Sequence, residues 1–350
     1  MAIGNEDPPT LTPPASTESG AAPSSWILRT RTEGIDRLMS RAALSVSELV
    51  QLAPGRLSAQ LFRLTARGTD VNGGQTSLPL RAVGTTSPGK VTVTFVLACP
   101  GRCVMDGAEI GPDTAIVWRP GVAYDGISPA GYRWATAILP ERDVYDLVPQ
   151  EAPAPDGRVP LRIAPVPRAI RTRATELLET QRAWDAPGRE PLDPEAAAGL
   201  CRGFGDLVQW ALRSASPVTP RTGALNAAAI VTGAERAFLA RLASDIYVED
   251  VCAKLGVASR TFEAAFKHVL GIRPMQYVEL LRAHAVFREL RRTDGRTPAS
   301  VREVELRCGV RHGARFAARY RAIFGENPTQ TLRASRQTDV AGGSRTDAGG

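Results

Sequence analysis

The side chains best suited to metal or nucleophilic chemistry in this sequence are its histidines and cysteines. The three histidines, His268, His284 and His312, all lie in the last quarter of the chain. Cys99 and Cys103 form a close pair, but the spacing is not the Cys-x-x-Cys of a zinc site and no histidine is near them in sequence. A turn between two strands is the favoured explanation of the pair, and a redox or metal role is the weaker alternative. We therefore expect no catalytic residue, no metal ion and no cofactor.

The sequence also lacks the loop motifs that hold phosphates or a catalytic serine. It contains no Walker loop, no Gly-x-Gly-x-x-Gly after a strand and no Gly-x-Ser-x-Gly elbow. What remains is a set of aromatic side chains that could form the walls of a small-molecule cavity, although each alone could be an ordinary core residue. These candidates are Phe62, Phe95, Trp118, Tyr124, Tyr132 and Trp134.

The aromatic candidates lie in a region, from Trp26 to about Leu147, of short apolar runs separated by turns. The runs are rich in β-branched and aromatic residues, which favour strands. The predicted strands cover residues 57–64, 91–96, 114–118 and 134–139. Regularly spaced short strands predict a small all-β barrel or sandwich.

The C-terminal third of the chain has helical periodicity instead. Val251, Cys252 and Leu255 share one helical face, and Gly256 follows, where a sharp turn can begin. A second apolar stripe continues through Phe262, Ala265, Phe266 and Val269. A short helix, a glycine turn and a second amphipathic helix are typical of a helix-turn-helix unit.

This pattern occurs twice. The segment Gly271-Ile-Arg-Pro274 recurs as Gly325-Glu-Asn-Pro328, and Gly309 matches Gly256. One copy alone could be a plain helical hairpin, but two copies with matching landmarks favour DNA binding. Charge agrees, because residues 225–335 hold 18 Lys and Arg against 11 Asp and Glu, which equals the net charge of +7 of the whole chain.

The repeated region resembles the AraC family of bacterial transcription regulators, whose DNA-binding domain has two helix-turn-helix units joined by a long helix. The resemblance covers about the last third of the chain. In the first unit it rests on residues 250–257, 260–262, 266–267, 271–277 and 281–283. In the second unit it rests on residues 306–309, 315–317, 320–321 and 324–328.

The resemblance implies which residues contact DNA. In the first recognition helix they are Ser259, Arg260, Thr261, Glu263, Ala264 and Lys267. In the second they are Arg311, His312, Arg315 and Arg319. Arg260 could contact guanine and Glu263 cytosine, while some arginines would hold only phosphates. A helix from about 274 to 290 would span roughly 25 Å and place both recognition helices in successive major-groove segments.

Ala258, Glu305 and Val310 depart from the family pattern, and Val310 stands where the family commonly has Phe. Ala258 stands where a Ser or Thr usually caps the recognition helix, so we expect that helix to start shifted or weakly capped. Glu305 replaces a core Ala and should turn outward or meet an arginine such as Arg302. His312-Gly-Ala314 opens the second recognition helix with low helix propensity, which predicts less rigid DNA recognition by that unit.

The N-terminal region is similar, more weakly, to the cupin-type sensor domain that precedes the DNA-binding domain in many AraC-family members. The similarity rests on the turns at 106–107, 111–113 and 118–121. Cupin metal centres use histidines, and the β-rich region has none, so metal-dependent catalysis is not expected. We interpret His268 and His284 as helix-surface residues or neighbours of DNA phosphates.

The predicted fold class is α+β, with an N-terminal all-β cupin-like barrel followed by an all-α C-terminal domain with two helix-turn-helix units. The predicted organisation is a disordered leader over 1–25, a sensor or effector domain over 26–150, a Pro-rich connector and helical, dimerising segment over 151–220, an AraC-type DNA-binding domain over 225–335 and a flexible tail over 336–350. Residues 168–184 and 194–215 are predicted helices. The apolar stripe of the second could form a dimer surface or cover the barrel, and the sequence favours neither.

We therefore predict a sequence-specific DNA-binding transcription regulator controlled by an N-terminal ligand-binding or dimerisation domain. The alternatives are a ligand-binding or catalytic barrel tethered to nucleic acid, and a regulator whose barrel binds another protein. The predicted partners are double-stranded DNA, a small-molecule effector, RNA polymerase and a second copy of the chain. A cytoplasmic location without a membrane is expected, because no secretory signal and no apolar run of about 20 residues is present.

Overall fold

The computed structural model describes residues 25–35, 38, 45–66, 69–112, 114–147, 162–166, 172, 188–191, 194–217, 222–291, 300–311 and 313–343. The predicted leader up to residue 24, most of the predicted helix 168–184 and residues 344–350 lie outside these ranges. The rest divides into a strand-rich domain and a helical domain, as the α+β prediction requires.

The strand-rich domain contains fourteen described strands. They are β1 Ser25–Glu33, β2 Ser45–Gln51, β3 Ser58–Ala66, β4 Thr69–Thr76, β5 Leu80–Thr85, β6 Lys90–Ala98, β7 Cys103–Met105, β8 Ala108–Ile110, β9 Thr114–Trp118, β10 Ala123–Ser128, β11 Arg133–Pro140, β12 Arg162–Pro165, β13 Gly188–Pro191 and β14 Ser216–Pro217. The four strands predicted from the sequence are confirmed as β3, β6, β9 and β11. Short 3₁₀ helices follow β11 at Glu141–Asp143 and Tyr145–Leu147.

All strand pairs in the two sheets are antiparallel. The larger sheet has the order β13-β1-β3-β4-β11-β6-β9-β12-β14, and the smaller has the order β2-β5-β10-β7-β8. The central strand β6 is buried on both faces from Val91 to Leu97. Val93 and Phe95 pack under a helix on one side, whereas Thr94 lines a cavity on the other.

The helix that covers the larger sheet is α1, Pro194–Ser214. Phe204, Val208 and Leu212 of this helix are buried in one core with Val93 and Phe95. The helix predicted over 194–215 is confirmed, and its Phe204, Val208 and Ala211 pack on the strand-rich domain.

The predicted Pro-rich connector contains regular structure in its described part. Residues 162–165 form β12, which pairs with β9 on one side and with β14 at Ser216–Pro217 on the other. These two strands extend the larger sheet beyond β9, and β14 forms its edge. Proline at the strand ends, Pro165 and Pro217, is compatible with this edge position.

The helical domain contains seven described helices. They are α2 Thr222–Ala240, α3 Val248–Leu255, α4 Ser259–Val269, α5 Pro274–Leu290, α6 Val301–Arg307, α7 Gly313–Phe324 and α8 Pro328–Gly343. The long helix predicted over 274–290 is confirmed as α5. The last helix, α8, continues to Gly343, so the beginning of the predicted tail is helical. Among the described helices, none is both long and apolar enough to cross a lipid bilayer.

The repeat is visible in the backbone. Gly256 and Gly309 end the first helix of each unit with φ of 65° and 78°. Gly271 and Gly325 follow the second helix of each unit with φ of 73° and 76°. These left-handed conformations are easy only for glycine, which explains why glycine occupies the same four places.

The two domains share their cores. Val50 and Ile127 of the strand-rich domain are buried in one cluster with Phe266 of α4 and Leu281 of α5. A second cluster joins the strand-rich domain to the other end of α5 and to α7, through Leu49, Leu57, Phe287, Leu290 and Tyr320. The helix α5 is therefore buried on nearly all sides, between both helix-turn-helix units and the smaller sheet.

Candidate nucleic-acid interface

The first helix-turn-helix unit, α3 and α4, is held by an aromatic core. Phe262 and Phe266 of α4 are fully buried and pack against each other with ring centroids 5.0 Å apart. Phe238 of α2 and Tyr277 of α5 complete the cluster, at 5.9 and 6.0 Å from Phe266. This packing fixes the rotation of α4 about its axis, so its opposite face must point to solvent.

That opposite face carries the residues predicted to contact DNA. All six of them are exposed: Ser259, Arg260, Thr261, Glu263, Ala264 and Lys267. Arg260 and Lys267 make no ion pair with any residue in the described ranges. Their charges are therefore available to an external anion or base edge.

The start of α4 is weakly capped, as predicted. The N-cap is Ala258 in an extended conformation, with no side-chain hydrogen bond, and the helix starts at Ser259 without a shift. In the second unit the first helix, α6, has a side-chain cap, since Ser300 Oγ accepts a hydrogen bond from the Glu303 N–H at 3.1 Å.

The second unit, α6 and α7, exposes arginines that already have acidic neighbours. Arg311 Nε lies 3.1 Å from Asp245 Oδ1, and Arg319 forms an ion pair with Glu279 of α5. Arg315 is exposed and has no ion pair within the described ranges. His312 lies outside the described residues. Exposed ion pairs contribute only about 0–1 kcal/mol, so Arg311 and Arg319 can exchange these partners for phosphates.

Glu305, the unusual core residue, meets an arginine. Its side chain is buried, and Oε2 lies 3.4 Å from Arg302 Nη1. Arg302 Nη1 is also 3.4 Å from the Val310 carbonyl oxygen. Of the two outcomes expected for Glu305, the arginine partner is the one observed.

The two units are fixed to one another through α5. At its first half, Arg282 donates hydrogen bonds from Nη2 to the Ser244 carbonyl at 2.8 Å and from Nε to the Leu242 carbonyl at 3.2 Å. At its second half, Phe287 packs 6.2 Å from Tyr320 and stacks on Phe324 at 4.3 Å. With 17 residues, α5 is about 25 Å long, shorter than the rise of about 34 Å of one turn of B-DNA, and the two recognition helices pack against its two ends.

A buried ionic cluster joins the smaller sheet to the helical domain, and we call it the Arg81 cluster. Arg81 of β5 is 1% exposed and donates to both carboxylate oxygens of Asp125 on β10, at 3.1 and 2.6 Å. Its Nη1 donates to Tyr277 Oη of α5 at 2.6 Å and forms an ion pair with Glu235 of α2. Thr232 Oγ1 of α2 donates to Asp125 at 3.1 Å.

His284 lies at the same domain boundary, and the prediction that it sits on a helix surface was wrong. It is 3% exposed, and Nε2 accepts a hydrogen bond from the Gln51 backbone N–H of β2 at 3.0 Å. Burial lowers the pKa of His284 to about 3, so the ring is neutral. The side-chain amide of Gln51 lies 3.0 Å from the Ile323 carbonyl of α7. His268 is exposed, with Nε2 2.7 Å from Arg102 Nη2.

A cavity of about 160 Å³ lies between the two sheets. Five of the six predicted aromatic walls line it: Phe62, Trp118, Tyr124, Tyr132 and Trp134. Phe95 does not, because its neighbour Thr94 faces the cavity and consecutive strand residues point to opposite faces. The polar wall residues Asn72 and Thr76 carried no signal in the sequence that would have identified them.

The cysteines occupy packing positions. Cys103 is buried and Cys99 half-buried at the two ends of the turn from β6 to β7, which is the explanation favoured from the sequence. Burial raises the pKa of the Cys103 thiol, which keeps it protonated. Cys252 and Cys308 lie in the cores of the two helix-turn-helix units.

Comparisons with known proteins match the helical domain. A family model described as a helix-turn-helix domain matches residues 251–334. Over 88 residues the chain is 35% identical to the probable thc operon regulatory protein of Rhodococcus erythropolis, a match that covers 25% of this chain and 26% of that protein. Over 89 residues it is 27% identical to regulatory protein HrpB of Ralstonia nicotianae, covering 25% and 18% respectively.

Solved structures match the same region. A probable AraC family transcriptional regulator from Rhodopseudomonas palustris is 32% identical, with 31% of this chain and 97% of that chain covered and a TM-score of 0.29. For the two curated regulatory proteins above, this chain covers only about a quarter or less of their own length. Together, the family match and the repeated units show that residues 251–334 are a helix-turn-helix domain.

Proposed function

We propose that this chain is a transcription regulator that recognises a specific DNA sequence with α4 and α7. The observation that carries this proposal is the pair of repeated units on one buried helix, each with an exposed basic face. Because α5 holds both units, the two recognition helices enter DNA as one body, in major-groove segments about one helical turn apart.

In the first unit, Arg260 donates a bidentate pair of hydrogen bonds to a guanine and Glu263 accepts from a cytosine amino group. Ser259, Thr261 and Lys267 serve the phosphates on either side, and Ala264 allows close approach to a base edge. In the second unit, Arg315 is the best placed base contact, since it has no acidic neighbour in the described ranges. Arg311, His312 and Arg319 bind the phosphate backbone there.

The test is selection of bound sequences from a random DNA library by the full-length protein at two salt concentrations. We expect enrichment of two short elements about 10 base pairs apart, with affinity that falls as salt rises. Arg213→Ala is a charge-matched control, because Arg213 is exposed on α1, outside the helical domain. Salt-dependent binding without any enriched sequence would mean that the helical domain binds DNA only nonspecifically, through its charge.

We propose further that the strand-rich domain controls the helical domain through their shared surface. Asp125 of β10 belongs to both the smaller sheet and the Arg81 cluster, so a shift of β10 changes a buried charge contact with α2 and α5. Asp125→Asn should change the affinity for the selected DNA by more than about threefold, since the buried Arg81 would lose one of its two charged partners. An unchanged affinity in a correctly folded variant would rule out control through this cluster.

The cavity supports binding over catalysis as the task of the strand-rich domain. Among the described residues that line it there is no carboxylate, histidine, lysine or cysteine to act as acid, base or nucleophile. A regulator that binds chromosomal DNA acts in the bacterial cytoplasm. RNA polymerase and a second copy of the chain remain predicted partners. A cupin-like fold remains a prediction for the strand-rich domain.

A further inference from the structure

The cavity between the sheets has the size of a small ring compound. Its volume of about 160 Å³ is close to that of an engineered apolar protein cavity of about 150 Å³ that binds benzene. Its walls carry two aromatic pairs: Tyr132 stacks on Trp134 at 5.7 Å and 16°, and Trp118 lies 6.1 Å from Tyr124 with the two rings tilted by 50°. Aromatic ring faces favour a planar guest.

The described residues that line the cavity carry no charge. Burial raises the pKa of Tyr124 and of Tyr132, so both phenols stay neutral. The nearest acid, Asp106, sits behind the wall and accepts a hydrogen bond from Trp118 Nε1 at 3.2 Å and another from the Asp125 N–H at 2.8 Å. A charged guest would leave water without gaining a counter-charge, which disfavours both anions and cations.

Three lining residues have buried polar atoms without a partner in the described ranges. They are the Asn72 amide nitrogen, the Thr76 hydroxyl and the Tyr124 hydroxyl. By contrast, Thr94 and Thr136 also line the cavity and hydrogen-bond to each other at 2.8 Å. Buried polar groups normally find partners, and a guest with a hydrogen-bonding group can supply them.

We propose that this cavity binds an uncharged ligand about the size of one aromatic ring that carries a carbonyl or similar hydrogen-bond acceptor. The ring contacts the aromatic walls, and the acceptor receives a hydrogen bond from Asn72 Nδ2, with Thr76 on the same strand and Tyr124 on the opposite sheet. This inference rests on the proposed control of the helical domain, for which it names the class of effector.

The strands that form the wall also form the domain boundary, which gives such a ligand a route to the DNA-binding domain. In β5, Leu80 and Ala82 line the cavity, whereas Arg81 between them points to α5. In β10, Tyr124 and Gly126 line the cavity, whereas Asp125 between them binds Arg81. A ligand that moves either strand therefore moves a residue of the Arg81 cluster.

The experiment compares three probes of one shape, benzamide, benzoate and benzylammonium, by ligand-observed NMR titration of the full-length protein at pH 7.5 without DNA. We expect saturable binding of benzamide and at least tenfold weaker binding of both ions. Asn72→Leu, which keeps the branched heavy-atom shape but removes the polar atoms, should weaken benzamide binding several-fold and leave toluene binding unchanged. Ala82→Leu, which fills the cavity, should weaken both neutral probes, and Arg213→Ala should affect neither.

The proposal is overturned if either ion binds as well as benzamide, if benzamide fails to saturate the folded protein, or if Ala82→Leu and Asn72→Leu both leave benzamide binding unchanged. Because the titration contains no DNA, these outcomes are independent of the library selection. A protein that selects a DNA site but binds no benzamide would refute the ligand class alone, whereas one that binds benzamide but selects no DNA site would refute the proposed function.

Discussion

The helical domain has two faces that use charge in opposite ways. On the face docked to the strand-rich domain, Arg81 is buried with fixed partners in Asp125, Glu235 and Tyr277. On the opposite face, Arg260 is exposed and unpaired within the described ranges. Breaking a buried ionic cluster costs a large free energy, so the cluster fixes the geometry of its interface. Exposed arginines are available to bind an external anion or base edge. We therefore expect the docked face to transmit control and the opposite face to recognise DNA.

The largest effect is expected from Arg81→Ala. It leaves Asp125 and Glu235 without their cation at a buried interface, so the free energy of unfolding should fall by about 3–5 kcal/mol. Urea denaturation of the full chain measures the change, with the exposed Arg213→Ala expected to stay within about 0.5 kcal/mol. Similar stability of the two variants would mean that the cluster does not fix the domain boundary.

The pH dependence of stability tests the other contact on the docked face. The pKa of His284 is about 3 in the folded protein, below its ordinary value of about 6.5, so the unfolded chain binds the proton more tightly. Its contribution is fully present above pH 6.5 and is lost as pH falls toward 3. Between pH 7 and pH 5 the free energy of unfolding should drop by about 2 kcal/mol from this residue.

The matched variant for this test is His284→Gln, which keeps an acceptor for the Gln51 N–H but cannot titrate. We expect its stability to change less between pH 7 and pH 5 than that of the wild-type protein. If both proteins show the same pH slope, His284 is not held neutral at the domain boundary.

A smaller effect concerns the start of the first recognition helix. Ala258→Ser supplies the missing N-cap and should raise the free energy of unfolding by about 1 kcal/mol, as a side-chain oxygen accepts from an orphan N–H of α4. The selected DNA sequence should not change, because Ala258 precedes the recognition face. Ala258→Gly, without a side-chain oxygen, is the control and should not be stabilising by that amount.

The smallest effect concerns the exposed face itself. Glu279 holds Arg319, and Glu279→Gln frees this arginine for a phosphate. DNA affinity should rise by less than about fivefold, since surface ion pairs contribute about 1 kcal/mol or less. The measurement is fluorescence anisotropy at low salt, with Glu303→Gln, an exposed acid on α6, as the control. A larger gain from the control would assign the effect to net charge.

The sequence predicted the helices of the helical domain better than the contacts of that domain with the strand-rich domain. Glycine landmarks and apolar periodicity are local signals, so the boundaries of α5 and the exposed face of α4 could be predicted. Tyr277, a partner of Arg81, is 196 residues away in the chain, and Gln51, the partner of His284, is 233 residues away, so no local pattern encodes these contacts. For the same reason His284 was assigned to the surface. Phe95 was predicted to line the cavity but packs under α1 instead, and its own strand carries no signal for which face that helix covers.

The most direct test of the central claim is library selection with two single variants, Arg260→Ala and Arg315→Ala, beside the wild-type protein. If α4 and α7 each recognise one element of a two-part site, Arg260→Ala should lose base preference at one element and Arg315→Ala at the other. Each loss should amount to about 1–3 kcal/mol of discrimination at the affected position. Two variants that keep the wild-type preference at both elements would contradict DNA recognition by these two helices.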